Sequence, residues 1–386
     1  MPECFNRKHP VIKSLLMPFS WIYRAIVRLR NMLFEWKILP SERFPLPVIC
    51  VGNIAAGGAG KTPFTEYLIE ILKENYRIAT LSRGYKRKTK GFLIVNERHT
   101  PIEAGDEACQ IKQKFPEVIV SVDENRRRGI KKLLSMAENE KPDVVILDDA
   151  MQHRYVSPSL TIMLTERSNI CYEDTLLPAG NLREPVSGAY RSDMIVVTKC
   201  SPSLKPEERR SIEKNMTPMT TNRLLYFSTL KYYEMKALFP DKVSSPCRLS
   251  EITVDEELLL IAGIANPQPF MEKIKKYSNR VTEFIFPDHY SFKRSDIQRM
   301  DKIFQKMPAN GKIICTEKDA MRLKSIGSLP ESWKPRLYFL PTGIDFLYDK
   351  ERDFRERIVK HVCFTINNIR KEKCQKPKYQ HSESLD

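Results

Sequence analysis

The stretch VICVGNIAAGGAGKTPFT, Val48–Thr65, decides the fold of this chain. It runs from an apolar segment of β type into a glycine-rich turn that ends in Gly60, Lys61 and Thr62. In such a turn, backbone N–H groups and the positive end of the following helix surround the phosphates of a nucleotide, while Lys61 neutralises charge and Thr62 ligates Mg²⁺. The sequence therefore predicts a phosphate-binding loop between a strand and a helix.

The turn departs from the strict phosphate-loop consensus at one position. Ala55 stands where that pattern has its first glycine, and the consecutive glycines Gly57 and Gly58 supply the backbone freedom instead. A chance GKT after a strand is the competing interpretation, so the rest of the chain must decide. The residues expected to bind the nucleotide are Ala55, Ala56, Gly57, Gly58, Ala59, Gly60, Lys61 and Thr62.

Composition limits the class of protein and its partners. A chain of 386 residues, 41% of them hydrophobic, is long enough for two domains with real cores. Its formal charge of +16 favours a polyanionic partner, which can be a nucleotide, a nucleic acid or an anionic membrane surface. Nine cysteines without metal-ligand or disulfide spacing argue against a zinc site and favour a reducing compartment. The cytoplasm is the simplest location.

The N-terminal segment, residues 1–40, is predicted to form an amphipathic helix that associates with a membrane. Apolar and aromatic residues alternate with arginines from Ser14 to Trp36. The longest uncharged run, Ser14–Tyr23, is half of the roughly 20 residues that a membrane span needs. Such a helix can lie in a lipid interface, with Arg24 and Arg28 reaching the headgroups. A helix packed on the protein's own core is the alternative.

Apolar runs typical of strands alternate with helical patterns and predict an α/β fold in two units. Residues 41–223 are predicted to form a P-loop NTPase-like domain, because near-continuous Val/Ile runs suit a parallel sheet covered on both faces. Residues 224–345 are predicted to form a second, smaller α/β domain that begins with the strand Leu224–Thr229. A C-terminal helix is expected over 346–370 and a polar, disordered tail over 371–386.

A second nucleotide signature follows in Asp143–Arg154, which reads DVVILDDAMQHR. The apolar strand presents Asp148 and Asp149 at its C-terminal end. Carboxylates at that edge of a parallel sheet lie near the phosphate loop, where one of them can hold Mg²⁺ directly or through water. Gln152 and His153 follow one short turn later and can reach the same crevice.

Three further segments carry candidate site residues, each ambiguous by itself. Asp106 and Glu107 are paired acids in a turn that is also typical of a helix N-terminus, and either can accept a proton from an attacking hydroxyl or bind a metal. Arg183 and Glu184 lie in a loop rich in Pro and Gly, and such loops often shape ligand sites. His289 follows a strand of the second unit.

Eight motifs, taken together and in chain order, resemble the tetraacyldisaccharide 4′-kinase family of lipid A biosynthesis. The resemblance extends from the N-terminal amphipathic segment to Leu340. The motifs are GGAGKTP (57–63), SRGY (82–85), GDEA (105–108), DDAMQH (148–153), LPAGNLREP (177–185), GIANP (263–267), PDHY (287–290) and TEKDA (316–320).

The resemblance implies a function, an architecture and a location. The function is transfer of the ATP γ-phosphate to the 4′-hydroxyl of a tetraacylated glucosamine disaccharide 1-phosphate, which gives lipid IVA. The architecture is two α/β domains with the active site in the cleft between them. The location is peripheral, on the cytoplasmic face of the bacterial inner membrane, with the N-terminal helix as the attachment.

The resemblance also implies roles for individual residues. Asp106 is expected to be the general base, and His289 from the second domain is expected to orient or electrostatically tune it. Lys61 is expected to act on the phosphates. The expected Mg²⁺ ligands are Thr62, Asp148 and Asp149. The other residues expected to line the site are Glu107, Gln152, His153, Arg183 and Glu184.

Two other classes of protein compete with a kinase. A P-loop nucleotide switch or regulatory ATPase/GTPase shares the GGxGKT turn. However, the related ATPases have Lys where this chain has Ala56, and a guanine-reading loop has Asp where this chain has Ser201. A nucleic-acid-binding protein is suggested by the charge and by the basic run Arg83–Lys90, but no base-stacking motif or recognition helix supports it. The predicted partners are therefore ATP, an acylated disaccharide 1-phosphate and an anionic membrane surface, without nucleic acid.

Overall fold

A computed structural model describes residues 10–220, 224–243, 247–327 and 329–375 of the chain. The strands are β1 Val48–Gly52, β2 Ile78–Ser82, β3 Leu93–Val95, β4 Ile119–Val122, β5 Val144–Asp148, β6 Leu160–Glu166, β7 Met194–Thr198, β8 Leu224–Tyr232, β9 Lys236–Ala237, β10 Glu257–Ala262, β11 Arg280–Ile285, β12 Lys312–Thr316, β13 Leu337–Leu340 and β14 Thr342–Phe346. The α-helices are α1 Pro10–Glu35, α2 Lys61–Leu72, α3 Pro101–Ala104, α4 Asp106–Lys114, α5 Arg126–Leu134, α6 Pro206–Thr220, α7 Gln268–Lys275, α8 Arg294–Phe304, α9 Glu317–Lys324 and α10 Glu351–Gln375. Short 3₁₀ turns cover Cys171–Glu173, Val186–Arg191, Pro240–Lys242, Leu249–Glu251 and Glu331–Arg336.

The larger sheet has nine strands in the order β14-β8-β7-β6-β1-β5-β2-β4-β3. Its strands are parallel except at the two edges, where β14 and β3 pair antiparallel with their neighbours. All five residues of β1 are buried, because helices cover both faces of the sheet. On one face Phe64 of α2 packs with Phe354 of α10, and on the other Ile130 of α5 and Met216 of α6 lie in a second cluster. The apolar strands of this sheet therefore match the parallel, doubly covered arrangement.

The smaller sheet has five strands in the order β11-β10-β12-β13-β9, parallel except for β9. Helices α8 and α9 contribute Ile297, Met300 and Leu323 to the core on one face, and α7 contributes Phe270 and Ile274 to the core on the other. The smaller unit is therefore also an α/β layer structure with its own core.

The assignment of Leu224–Thr229 to the smaller unit is wrong. Strand β8 pairs in parallel with β7 of the larger sheet, and after the smaller sheet the chain returns as β14 to pair with β8. The smaller unit is thus inserted between two strands of the larger one. Tyr226 and Phe227 are buried in β8, but an apolar run does not reveal which sheet will cover it.

The C-terminal helix belongs to the larger unit as well. Phe354, Ile358 and Val362 of α10 are fully buried against the larger sheet. The helix begins at Glu351 and continues to Gln375, so residues 371–375 are helical where the sequence predicted a disordered tail. The rest of that predicted tail, 376–386, lies outside the described residues.

The N-terminal helix α1 spans Pro10–Glu35, and residues 1–9 of the predicted segment lie outside the described part of the chain. Among the described residues, no helix is both long and apolar enough to cross a membrane. Helix α1 has two distinct faces. One face packs on the protein through Ser20, Val27 and Phe34, which are buried. The other exposes large apolar side chains, namely Val11, Leu15, Phe19, Trp21, Ile22, Ile26 and Leu29.

Candidate active site

The glycine-rich turn connects β1 to α2, as the sequence predicts. Gly57 and Gly60 have φ angles of 118° and 80°, in the region that side chains disfavour, whereas Gly58 does not. The backbone freedom therefore resides at Gly57 and Gly60 rather than at the two consecutive glycines. Gly60 immediately precedes α2, so the turn delivers the chain to the N-terminus of that helix. A helix N-terminus with this geometry is suited to anions.

Lys61 extends back over the turn. Its Nζ lies 3.4 Å from both Asn53 Oδ1 and the carbonyl of Gly57, and 3.6 Å from Asp149 Oδ2. These are long contacts for an ammonium group, which leaves Lys61 ready to take a stronger acceptor such as a phosphate. Thr62 follows and is buried.

Asp148 and Asp149 at the end of β5 have different environments. Arg183 donates hydrogen bonds of 2.8 and 3.2 Å to the carboxylate of Asp149. Burial raises the pKa of Asp149, but Lys61 and Arg183 outweigh it and the pKa is lowered overall. Asp148 is buried, and within the described residues its Oδ1 accepts no hydrogen bond. Burial and the neighbouring Asp149 raise the pKa of Asp148 to about 7.

Asn53 is a centre of contacts that sequence reasoning missed. The Gln152 side chain donates to its carbonyl at 2.8 Å, and Arg183 donates to its side-chain oxygen, which is also the acceptor near Lys61. Asn53 is 2% exposed. Its signal in the sequence is a lone polar residue directly after the apolar run of β1. The structure thus brings Gln152 and Arg183 to the phosphate turn through Asn53.

The other half of the site lies where the two units meet. Asp106 is the first residue of α4, and its Oδ2 lies 2.9 Å from His289 Nδ1. Arg322 of α9 donates to the same oxygen from Nη2 at 2.7 Å and from Nε at 3.1 Å. Burial raises the pKa of Asp106, but the hydrogen bonds from His289 and Arg322 outweigh it and bring the pKa to about 2. Asp106 is therefore ionised at any physiological pH.

Glu107 joins the two halves of the site. Lys318 of α9 donates to its carboxylate at 3.0 Å, and His289 Nε2 lies 3.8 Å from the same oxygen. Glu107 and Lys318 are both close enough to Asp148 to affect its pKa, in opposite directions. The residues around Asp106 therefore lie within electrostatic range of Asp148 at the end of β5.

Comparison with known proteins identifies the group to which this arrangement belongs. The tetraacyldisaccharide-1-P 4′-kinase family (LpxK) matches residues 12–363.

The chain belongs to this family.

Relatives and a solved structure agree with this assignment. The tetraacyldisaccharide 4′-kinase of Parabacteroides distasonis is 49% identical over 357 residues, which cover 92% of this chain and 96% of that protein. The enzyme of the same name from Bacteroides thetaiotaomicron is 43% identical over 375 residues, which cover 95% and 97%. A crystal structure of Aquifex aeolicus LpxK in complex with ATP superimposes with a TM-score of 0.70 at 28% identity, over 91% of this chain and 99% of that one. The predicted family and fold class are confirmed.

Within this kinase-family fold, Arg322 and Lys318 are two site residues that sequence reasoning did not single out. Arg322 is held in place by Asp319 at 2.8 Å and by the carbonyl of Gly263 at 2.9 Å. Asp319 is in turn fixed by the Gly263 N–H at 2.7 Å and by the Thr316 hydroxyl at 2.6 Å. The signal was the TEKDA motif, because Lys318 and Arg322 are four residues apart on one face of the helix that the motif begins.

Two residues predicted to line the site, His153 and Glu184, make their observed contacts with residues outside the predicted set, such as Tyr155 and Arg191. His153 is half-buried, and burial together with Arg126 lowers its pKa to about 4, so its imidazole is neutral at pH 7. Glu184 is buried and accepts hydrogen bonds from Arg191 at 2.7 Å and from Asn31 of α1 at 3.4 Å. The observed contacts of Glu184 therefore connect the LPAGNLREP loop to the N-terminal helix.

Proposed function

We propose that this chain transfers the γ-phosphate of ATP to the 4′-hydroxyl of a tetraacyldisaccharide 1-phosphate and so forms lipid IVA. The observation that carries the proposal is the contact between Asp106 and His289. It places a carboxylate of the larger unit against an imidazole of the smaller unit, and the chain belongs to a family of kinases. A sugar hydroxyl is a poor nucleophile at neutral pH, so the reaction depends on positioning, charge neutralisation and a proton acceptor. The site has a group for each task.

The nucleotide half of the site is assigned to the turn before α2. Backbone N–H groups and the helix N-terminus would surround the phosphates, and Lys61 would exchange its long contacts for phosphate oxygens. Asp149 lies 3.6 Å from Lys61 and binds Arg183, so it would set the position of both cations. The nucleotide-binding residues remain those of the predicted list, Ala55, Ala56, Gly57, Gly58, Ala59, Gly60, Lys61 and Thr62.

A Mg²⁺ ion fits the residues at the end of β5. Within the part of the chain that the structure describes, Oδ1 of Asp148 is buried and accepts no hydrogen bond, so this oxygen is available to a cation. Among the described residues, no group of three or more His, Cys, Asp or Glu is placed to hold a metal, but Mg²⁺ usually takes one or two protein oxygens together with substrate phosphates and water. Asp148 and Thr62 would hold it, while Asp149 is already paired with cations. When bound, the ion supplies neutralisation of phosphate charge.

The acceptor half of the site is assigned to Asp106. In the transfer, the 4′-oxygen forms a bond to the γ-phosphorus, the bond from that phosphorus to the β–γ bridging oxygen breaks, and ADP leaves. The hydroxyl proton passes to Asp106. His289 and Arg322 would keep the carboxylate ionised and oriented, and a weak base suffices because the proton moves late in phosphoryl transfer with a loose transition state.

The acceptor assay tests this function directly. Purified full-length protein, with Mg-ATP and the tetraacyldisaccharide 1-phosphate in detergent micelles, is expected to give a product phosphorylated at the 4′ position, measured by mass spectrometry. Omitting the acceptor should suppress ADP release. GTP hydrolysis without transfer to the acceptor would instead support a nucleotide switch.

The exposed face of α1 supports attachment to the cytoplasmic face of the bacterial inner membrane. Leu15, Phe19, Ile22 and Ile26 are 59–72% exposed along one side of the helix. Apolar and aromatic side chains in this arrangement insert into a lipid interface, and the net charge of +16 favours an anionic leaflet. An acylated acceptor stays in the membrane, so a kinase acting on it must come to the surface.

Replacing Ile22 and Ile26 together by glutamine is expected to weaken binding to phosphatidylglycerol vesicles by about tenfold or more. The two isoleucines would lose the free energy of burial in the lipid interface. Co-sedimentation measures the binding. Ile285→Gln is the matched control, because Ile285 is 55% exposed on the smaller unit. Equal binding of the double variant and the control would remove α1 as the anchor.

A further inference from the structure

Helix α1 is bound to the protein by directed hydrogen bonds as well as by apolar packing. The Ser20 hydroxyl donates to the carbonyl of Leu176 at 3.0 Å and accepts from the N–H of Ala179 at 3.0 Å, and these contacts are buried. The Tyr23 hydroxyl donates to the carbonyl of Arg183 at 2.9 Å. All three partners are backbone groups of one loop, residues 176–184. A helix that served only to insert apolar side chains into a membrane would not need such directed hydrogen bonds.

The loop at 176–184 is itself hydrogen-bonded to the entrance of the phosphate turn. The Ala56 N–H donates to the carbonyl of Asn181 at 2.7 Å, and the Arg183 N–H donates to the carbonyl of Ile54 at 2.7 Å. Ala55 and Leu182 form an antiparallel bridge between these contacts. The loop therefore acts as a short strand beside residues 54–56, which lead directly into the turn.

A second route runs from the same face of α1 to the same place. Arg30 donates to the carbonyl of Gln152 at 3.0 Å, and the side chain of Gln152 donates to the carbonyl of Asn53 at 2.8 Å. The Asn53 side chain lies near Lys61 and accepts from Arg183. Both routes converge on residues 53–56, so the backbone that precedes the phosphate turn is held from two sides.

The spacing on α1 explains how one helix can do both tasks. Ser20, Tyr23, Val27, Arg30 and Phe34 recur at intervals of three and four residues and lie on the inner face. The exposed apolar residues recur at the same intervals on the outer face. Changes on the inner face can therefore be made without touching the surface assigned to the membrane.

We propose that α1 is a positioning element of the ATP site, which fixes the phosphate turn through the loop at 176–184 and through Gln152. The inference rests on the proposed function for the use of that site by ATP. It assigns Ser20, Tyr23 and Arg30 to the geometry of the turn, although none of them belongs to the turn. In this view the helix that attaches the protein also completes the nucleotide site.

Tyr23→Phe tests the proposal, because it removes one hydroxyl and leaves the ring. The dissociation constant for Mg-ATP, measured by calorimetry on the full chain, is expected to rise about fivefold. Binding to phosphatidylglycerol vesicles should not change. Tyr226→Phe is the matched control, since the Tyr226 hydroxyl donates to Asp353 at 2.7 Å between β8 and α10. It is expected to leave the dissociation constant as it is.

Arg30→Met tests the second route, through Gln152, independently of Tyr23. Arg24→Met is its control, since Arg24 is exposed on the same helix. Both remove one positive charge, but only Arg30→Met should weaken ATP binding, by about threefold. ATP binding by Tyr23→Phe and Arg30→Met that equals that of their controls would overturn the proposal.

Calorimetry with Mg-ATP requires no acceptor. A protein that binds ATP in the α1-dependent way but fails the acceptor assay would contradict the proposed function and support this inference. A protein that phosphorylates the acceptor and binds ATP independently of Tyr23 and Arg30 would support the proposed function and contradict the inference about α1.

Discussion

Replacing Asp106 by asparagine is expected to lower kcat by about 10²–10⁴-fold while the dissociation constant for ATP changes by no more than about twofold. Asparagine preserves the size of the side chain and can still accept a hydrogen bond from Arg322, but it cannot take the proton of the acceptor hydroxyl. Steady-state kinetics with the acceptor, combined with calorimetry of Mg-ATP, measure the two quantities separately.

The matched control for Asp106→Asn is Glu103→Gln. Glu103 is an exposed acid in the preceding helix, and glutamine retains its ability to cap that helix. The control is expected to leave kcat and ATP binding unchanged. Equal losses of turnover and ATP affinity in Asp106→Asn would instead assign Asp106 to the nucleotide.

The low pKa of Asp106 also fixes the sign of its pH dependence. The pKa is about 2 in the folded protein, below the ordinary value of 3.8, because the bonds from His289 and Arg322 outweigh burial. The ionised carboxylate therefore stabilises the folded state above about pH 4, and this contribution is lost as the pH falls from about 4 to about 2. Protonation of Asp106 should not limit turnover above about pH 4.

The sequence predicted those parts of the fold and site that depend on neighbouring residues. The turn at Gly57–Thr62 joins a strand to a helix as predicted, because an apolar run, glycines and a helical pattern follow one another within 25 residues. Asp148 and Asp149 end a strand for the same reason. The roles of these residues stay predictions, but their positions were available from local pattern alone.

Long-range features were not available in this way. The pairing of β8 with β7 depends on which sheet edge is uncovered, and nothing within the run at 224–229 encodes that edge. Arg322 meets Asp106 only because α4 and α9 come from different units that pack together. The amphipathic pattern of α1 predicted two faces, but not that the inner face would bind the loop at 176–184. Each of these results depends on tertiary contacts across more than 100 residues or on the choice of a partner.

Asp148→Asn and Asp149→Asn are expected to have different effects, although the sequence predicted both residues as Mg²⁺ ligands. Asp148 is buried, and its Oδ1 accepts no hydrogen bond from the described residues, whereas Asp149 is paired with Arg183 and lies near Lys61. Asp148→Asn should therefore raise the Mg²⁺ concentration for half-maximal activity by about 100-fold, because a carboxylate binds Mg²⁺ far better than an amide. It should not reduce the stability of the metal-free protein, since Oδ1 of the buried Asp148 accepts no hydrogen bond from any residue that the structure describes.

Asp149→Asn serves as the matched variant, one residue away and with the same loss of charge. It should weaken ATP binding, because Lys61 and Arg183 lose the group that places them, while the Mg²⁺ requirement stays within about threefold of the parent. Titrations of activity with Mg²⁺ at saturating ATP, and of binding with ATP at saturating Mg²⁺, measure the two effects. A larger shift of the Mg²⁺ requirement in Asp149→Asn than in Asp148→Asn would contradict these assignments. The metal would then depend on Asp149, the carboxylate that contacts Lys61 and Arg183, rather than on Asp148.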